Sequence, residues 1–215
     1  MNLKLDIPAI QDSFYGTKDI SSVRIGLAQI QAKYGDIISL ASGLTKVPEN
    51  IIKSFIWIES AGNEGVNTTG SEQATGLMQL TPAVVYDTIN LEIKKKRLTQ
   101  AERDYLNQFI NVDDFSSPYS DIKDTIIAVL SDKMFNIFAG ALLLGQLIDM
   151  TPDGQNMRMD KVVVLYNQGV YSSAAKSSDF KDLALADFYK TLNPITKAYV
   201  LKLIGQNGTL DILTA

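Results

Sequence analysis

The residues best suited to chemistry lie in one stretch, IESAGNEGVNTTGSEQATGLMQLTP, which covers residues 58–82. On a helix turning about 100° per residue, Glu59 falls within the apolar arc that contains Phe55, Ile52 and Ile56. A carboxylate there loses water, and this desolvation is expected to raise its pKa because burial penalises the charged form. Such an acid can donate a proton at neutral pH, as protonation of a glycosidic oxygen requires.

The segment after Glu59 is rich in glycine and small polar residues and ends in GLMQL at 76–80. Glycine lets a backbone approach a ligand closely. Gln79 adds an amide that can bind sugar hydroxyl or N-acetyl groups, beside the polarisable side chain of Met78. The structural alternative is that Glu59 is a helix-terminal residue that points to solvent or pairs with a lysine.

Two further motifs place polar residues in apolar surroundings. Asn136 interrupts the apolar run MFNIFAGALLLGQLIDM, where a buried amide without partners costs about 1–3 kcal/mol, so it either ties helices together or contacts a ligand. In VVVLYNQG, Tyr166 and Asn167 precede Gly169, which is expected to end the helix. Tyr166 either holds the acid or the ligand at the lip of a cleft, or reaches the surface from the core.

The composition restricts the chemistry further. The 215 residues include no Cys and no His, which excludes thiol nucleophiles, disulfides, imidazole bases and nearly all zinc or iron sites. We therefore expect no metal and no other cofactor. The net charge of −4 gives no support for nucleic-acid binding, and the basic run KKKR at 94–97 is interpreted as a solvated helix face.

The apolar spacing predicts a mostly α-helical protein with little β structure. Residues 1–35 are predicted to hold a surface arm and a first helix, which should break at Tyr34-Gly35-Asp36. Residues 61–75 predict a loop or small ribbon, 113–120 a loop that follows the helical segment before it, and 151–156 a turn. Further helices are expected over residues 37–44, 47–60, 80–89, 98–110, 132–150, 160–169, 182–192 and 194–205, with Thr81 and Thr99 as N-caps and Glu102 completing a capping box.

The order of these motifs resembles that of the lytic transglycosylases with the soluble-transglycosylase (SLT), goose-lysozyme-like catalytic domain. The resemblance covers about residues 36–205 and implies a lysozyme-like helical domain, here 36–215, with a glycan-binding cleft. In that family the Glu of the "ES" motif is the sole catalytic acid and base, which corresponds to Glu59. The substrate-binding positions then correspond to Ser60, Gly76, Met78, Gln79, Asn136, Tyr166, Asn167 and, less closely, Tyr199, while Gly140 and Gly169 match the small residues of the same motifs.

The resemblance implies cleavage of the β-1,4 bond between N-acetylmuramic acid and N-acetylglucosamine in peptidoglycan. Glu59 would protonate the leaving oxygen, and the substrate's 2-acetamido group would stabilise the positive charge. Glu59 would then take a proton from the C6 hydroxyl, which gives a 1,6-anhydro sugar. The chain departs from the family pattern in the long spacing between GLMQL and NIFAG, so 88–125 is predicted to be an insertion that shapes the substrate site or docks a partner.

The residues are also compatible with two alternative functions. Most glycosidases use two carboxylates, so hydrolysis by a muramidase would follow if Glu64 or Glu72 faced the scissile bond. A structural or glycan-binding virion protein without activity is the other alternative, and the intact ES, GLMQL and YNQG motifs argue against it.

The N-terminal segment and the longest apolar run bear on how the protein would reach the cell wall. MNLKLDIPAIQDSF lacks the apolar region of a secretory signal, and the run at 134–150 is shorter than the roughly 20 residues of a membrane span, so we predict no span and a buried core helix. A peptidoglycan enzyme of this kind would act in the periplasm or cell wall. It would be delivered by a phage virion, released by a holin, carried by a secretion apparatus or trimmed of its signal, and the N-terminal arm would dock virion or secretion proteins.

Overall fold

The computed structural model describes residues 4–6, 10–16, 19–68, 73–153, 156–170, 172–177, 180 and 185–214. This part of the chain is mostly helical, as predicted. Its elements are strand β1 (Lys4–Asp6), helices α1 (Asp19–Thr45), α2 (Glu49–Ser60), α3 (Pro82–Lys94) and α4 (Gln100–Leu106), a 3-10 helix (Val112–Ser116), α5 (Tyr119–Leu130), α6 (Lys133–Met150), β2 (Pro152–Asp153), β3 (Asn156–Arg158), α7 (Met159–Gln168), α8 (Ser173–Lys176), α9 (Leu185–Phe188), a second 3-10 helix (Tyr189–Thr191), α10 (Pro194–Ile204) and α11 (Thr209–Thr214).

The chain divides into two compact units. The central unit comprises Gln29–Gly145, and the terminal unit comprises Met1–Ala28 with Gln146–Ala215. The sequence suggested a different division, after residue 35, and this position lies inside α1.

Helix α1 continues through Tyr34-Gly35-Asp36, so the predicted break was wrong. A glycine inside a helix costs only about 1 kcal/mol relative to alanine. Burial of a whole stripe at helical spacing outweighs that cost, because each large apolar side chain stabilises by about 1.5–3 kcal/mol. The buried stripe consists of Val23, Leu27, Ile30, Tyr34, Ile38 and Ala41.

The segment predicted as an insertion forms part of the apolar core of the central unit. The capping box of α4 is confirmed: the Thr99 side chain accepts from the Glu102 backbone N–H, and the Glu102 side chain accepts from the Thr99 N–H. The loop expected after α4 is instead partly a 3-10 helix, because Phe115 turns into the core and becomes fully buried. Its ring stacks on Tyr86 of α3 with centroids 6.1 Å apart.

Helix α6 combines high hydropathy with burial. Among the described residues it alone has the length and hydropathy at which a helix can cross a membrane, and 67% of it is buried inside the protein. Such burial is typical of the core helix of a globular protein. The absence of a membrane span stays a prediction.

The terminal unit contains strands β1, β2 and β3 and the described part of the N-terminal arm. Strand β3 pairs in parallel with β1 and antiparallel with β2, in the order β1-β3-β2. Beyond β1, the Gln206 N–H is shared between the carbonyls of Ile10 and Asp12, each at 3.1 Å, and the Tyr189 hydroxyl donates to the Asp12 carboxylate at 2.7 Å. The described arm therefore lies on its own chain. Docking of the arm to another protein stays a prediction.

Helix α7 begins at a buried ion pair and ends at a glycine. Arg158 donates from Nε and Nη2 to the two carboxylate oxygens of Asp160, at 3.0 and 2.8 Å, and both side chains are buried. Gly169 ends the helix as predicted, with a φ of 83° that favours glycine. This helix packs against α10, whose N-cap is Asn193.

Candidate functional site

Glu59 is the penultimate residue of α2, a helix whose apolar residues are mostly buried. Ile52, Phe55 and Ile56 are fully buried, and Glu59 is half-buried. Helix α2 ends in a left-handed residue, Ala61, with a φ of 51°, and its N–H donates to the Trp57 carbonyl. Glu59 is therefore half-buried at a helix end, and the desolvation of its carboxylate stays a prediction. The raised pKa stays a prediction.

Ser60 closes the helix that carries Glu59. Its hydroxyl donates to the Ile56 carbonyl at 3.0 Å and accepts from the Gly62 N–H at 3.2 Å. The side chain is 7% exposed. These two bonds fix the turn directly after the candidate acid, so the observed role of Ser60 is structural, and its contact with a glycan stays a prediction.

A polar cluster on α1 holds the loop that follows Glu59, and we call it the α1 latch (Lys33, Tyr34, Gly62 and Glu64). The Tyr34 hydroxyl lies 2.8 Å from Glu64 Oε1 and 3.0 Å from the Gly62 carbonyl oxygen. The Lys33 ammonium forms an ion pair with the same Glu64 oxygen at 3.0 Å and lies 5.0 Å from the Tyr34 ring centroid. The loop is therefore bound to α1 within five residues of Glu59.

The latch keeps Glu64 ionised. Its pKa is lowered, first by the hydrogen bond from Tyr34 and then by that from Lys33. The pKa of Lys33 is raised, first by its hydrogen bond with Tyr34 and then by Glu64. Burial is the main reason why the pKa of the Tyr34 hydroxyl is raised. At neutral pH the cluster therefore holds an ammonium, a neutral phenol and a carboxylate.

The far end of the loop is a small hairpin. Thr75 and Leu80 exchange two backbone hydrogen bonds, of 3.0 and 3.2 Å, around the four residues 76–79. The Gln79 amide nitrogen donates to the carbonyls of Val66 and Gly76, both at 2.8 Å, and thereby joins the hairpin to the outgoing loop. Gln79 has a φ of 47°, a left-handed conformation that costs a non-glycine residue about 1–2 kcal/mol.

The amide of Gln79 is thus used differently from the sequence expectation. Both hydrogen bonds that the amide nitrogen donates go to the loop backbone, and the amide oxygen Oε1 takes part in neither of them. A hydrogen bond from a sugar hydroxyl or N-acetyl N–H to that oxygen stays a prediction. The strained backbone of Gln79 is offset by the two bonds that its own side chain makes.

The side chain of Asn136 on α6 forms hydrogen bonds with the backbone of the hairpin. Its Oδ1 accepts from the Met78 N–H at 2.8 Å, and its Nδ2 donates to the carbonyls of Thr75 and Leu130 at 2.9 and 3.0 Å. The side chain is fully buried. The amide therefore ties the hairpin to α6 and to the end of α5, which is close to the structural alternative considered from the sequence. Contact of Asn136 with a glycan has no support in this geometry and stays a prediction.

Two glycines make this close packing possible. A Cβ on Gly76, whose φ is 77°, would lie 2.6 Å from Nδ2 of Asn136. A Cβ on Gly140, one turn after Asn136 on α6, would overlap the end of the buried Met78 side chain and come within 2.7 Å of its Cε. Gly76 and Met78 are both buried, so in the described structure they support the hairpin, and their contact with a glycan stays a prediction.

The YNQG motif and Tyr199 belong to the terminal unit. Asn167 is exposed, and its Oδ1 accepts a 3.5 Å hydrogen bond from the buried Thr196 hydroxyl on α10. The same hydroxyl oxygen accepts a hydrogen bond from the Gln168 side chain. Tyr166 and Tyr199 are half-buried on α7 and α10. The candidate residues thus fall into two sets: those of the central unit are bonded into one loop assembly, and Tyr166, Asn167 and Tyr199 lie on a packed pair of helices.

Sequence reasoning missed Tyr34 and Lys33. Tyr34 was taken as part of a helix break, although its spacing of four from Ile30 places it on the buried stripe of α1. A phenol on a buried stripe needs a partner for its hydroxyl, and that requirement was the available signal. Within the described residues, no cluster of three or more Asp and Glu side chains is arranged to hold a metal ion.

No family model, curated protein or solved structure matches this chain.

Proposed function

We propose that the protein is a peptidoglycan lytic transglycosylase with a lysozyme-like catalytic domain, in which Glu59 is the single general acid and base. The proposal is supported above all by one arrangement: Glu59 ends a buried helix and is followed directly by a loop whose two ends are fixed by separate polar clusters. An acid that must act first as donor and then as acceptor needs such a rigid setting, because misplacement by about 1 Å can cost about 100-fold in rate.

The engagement of Glu64 favours a single catalytic carboxylate. An inverting or retaining hydrolase needs a second carboxylate opposite the acid. Glu64 is bound to Tyr34 and Lys33 of α1, and both of these partners hold it in a structural cluster. Glu72, the other candidate, lies outside the described residues.

In the proposed reaction, Glu59 protonates the glycosidic oxygen of the bond between N-acetylmuramic acid and N-acetylglucosamine. The 2-acetamido group of the substrate stabilises the resulting positive charge at C1. Glu59, now a carboxylate, then accepts the proton of the C6 hydroxyl as this oxygen bonds to C1. The proton balance is closed within one side chain, and no cofactor is needed.

A muramidase is the second candidate. It is favoured by the ionised state of Glu64, since a nucleophile or base must be a carboxylate at working pH. The third candidate, an inactive structural or glycan-binding protein of a virion, would retain the hairpin and lack turnover. For either enzyme we propose action in the periplasm or cell wall, with the N-terminal arm as a docking element.

Digestion of purified peptidoglycan, followed by mass spectrometry of the muramyl ends, distinguishes the candidates. We expect 1,6-anhydro ends from the wild type and loss of product by at least about 100-fold in Glu59→Gln. Glu49→Gln, at the other end of α2, is the matched control and should retain activity. Reducing muramyl ends would favour the muramidase, and an unchanged rate in Glu59→Gln would refute the assignment of the acid.

A further inference from the structure

We infer that Tyr34 is a positioning residue for Glu59: through the α1 latch, its hydroxyl fixes the turn after α2 and with it the last helical turn that carries the acid. This inference rests on the proposed function, and it concerns a residue that belongs to none of the motifs in the sequence. It assigns Glu64 to the latch as well.

The first reason is the position of the latch along the chain. The last turn of a helix frays unless its carbonyl groups and the following residues are tied down. Here the Gly62 carbonyl, three residues after Glu59, lies 3.0 Å from the Tyr34 hydroxyl. The turn itself is closed by Ser60, so a rigid path of bonded residues links α1 to the acid.

The second reason is the close packing of Gly62 against the side chains of α1. Gly62 has a φ of 79°, and a Cβ there would lie 2.9 Å from Cγ1 of Ile30. Ile30 and Tyr34 are one helical turn apart, and both are 1% exposed. The backbone at Gly62 thus lies directly against two buried side chains, and the hydroxyl bond and this packing together hold it in place.

The third reason is that the latch is reinforced by charge. Glu64 receives the Tyr34 hydroxyl and the Lys33 ammonium on the same oxygen. Hydrogen bonds to an ionised group are stronger than those between neutral groups. The Tyr34 hydroxyl therefore shares its single proton between the Gly62 carbonyl and Glu64, and the Lys33 ammonium supplies the second bond that holds Glu64.

The test compares Tyr34→Phe with Tyr86→Phe. Each variant removes one tyrosine hydroxyl that reaches a backbone carbonyl, and the Tyr86 bond, of 2.7 Å, goes to Ser117, far along the chain from the loop. Amide hydrogen exchange of the full chain is measured for residues 60–66, together with kcat and KM on purified peptidoglycan. In Tyr34→Phe we expect exchange at these amides to be at least about fivefold faster and kcat to fall by about tenfold with KM changed less than twofold. Tyr86→Phe should change neither.

The exchange measurement tests the latch, the kcat measurement tests the positioning role, and the activity of the wild type tests the proposed function. Faster exchange without a change in kcat would overturn the positioning role, and unchanged exchange would overturn the latch itself. A wild type that does not cleave peptidoglycan would refute the proposed function and the catalytic part of this inference, while the exchange result would still decide whether the latch exists.

Variants at Glu64 give a second, independent test. Glu64→Gln keeps an oxygen that accepts from Tyr34, so kcat should stay within about threefold of the wild type. Glu64→Ala removes this acceptor but leaves the Gly62 carbonyl as an acceptor for the Tyr34 hydroxyl, so exchange and kcat should change less than in Tyr34→Phe. A loss of more than about 100-fold in Glu64→Gln would instead identify Glu64 as a second catalytic carboxylate and overturn its place in the latch.

Discussion

Oδ1 of Asn136 accepts a 2.8 Å hydrogen bond from the backbone N–H of Met78, a residue 58 positions earlier in the chain. Within the same contact region, Gly140 leaves the space that the Met78 side chain occupies. One polar bond and one missing side chain on the same face of α6 therefore hold the hairpin at 76–79. The motifs GLMQ and NIFAG are thus explained as two halves of one packing arrangement.

The Asn136 amide should dominate the stability of this arrangement. In Asn136→Ala, the Met78 N–H and the Leu130 carbonyl lose their bond to Asn136 in a buried site, where each unsatisfied group costs about 1–3 kcal/mol, while the Thr75 carbonyl keeps its bond from the Leu80 N–H. We expect the free energy of unfolding, measured by urea titration with circular dichroism, to fall by at least about 2 kcal/mol. The exposed N-cap Asn111 is the control, and Asn111→Ala should cost no more than about 1 kcal/mol. Equal losses in the two variants would contradict this role of Asn136.

The two glycines of α6 should respond oppositely to alanine. Gly140→Ala places a Cβ against the buried Met78 side chain, and such overpacking costs about 1–3 kcal/mol. Gly145→Ala meets only Cγ2 of Val47, at 3.6 Å, so the gain in helix propensity, up to about 1 kcal/mol, should prevail. Thermal unfolding should give a lower melting temperature for the first variant and an equal or higher one for the second. A neutral Gly140→Ala would show that Met78 is free to move aside.

The contribution of Glu64 to stability should depend on pH. Because the pKa of Glu64 is lowered in the folded protein, its contribution is fully present above the unfolded value, near pH 4, and is lost as the pH falls through the lower folded value. Glu64→Gln should therefore have a lower melting temperature than the wild type at pH 7, and the difference should shrink as the pH falls below about 4. Asp124→Asn removes an exposed carboxylate of the same unit and serves as the control. A difference that persists unchanged at pH 2 would exclude a role for the charge.

Local signals accounted for most of the helices. The capping box at Thr99 and Glu102, the N-cap Thr81 followed by Pro82, and the terminating Gly169 each act within a few residues, so they could be predicted without a fold. The same local reasoning failed at Gly35 and Phe115. There, the burial of side chains against distant parts of the chain outweighed a local preference for a break or a loop.

The sequence by itself determined the helical class, the placement of Glu59 at the end of an apolar helix, and the exclusion of thiol and imidazole chemistry, because these depend on residue types and short spacings. Only the tertiary structure decided what Asn136, Gln79, Gly140 and Tyr34 do. Their partners lie on other elements or depend on how the loop closes, and Asn136 reaches Thr75 across 61 residues of the chain. A hydrogen bond or a close contact between such residues has no periodicity along the chain, and it exists only once the packing of the helices has brought the two groups together.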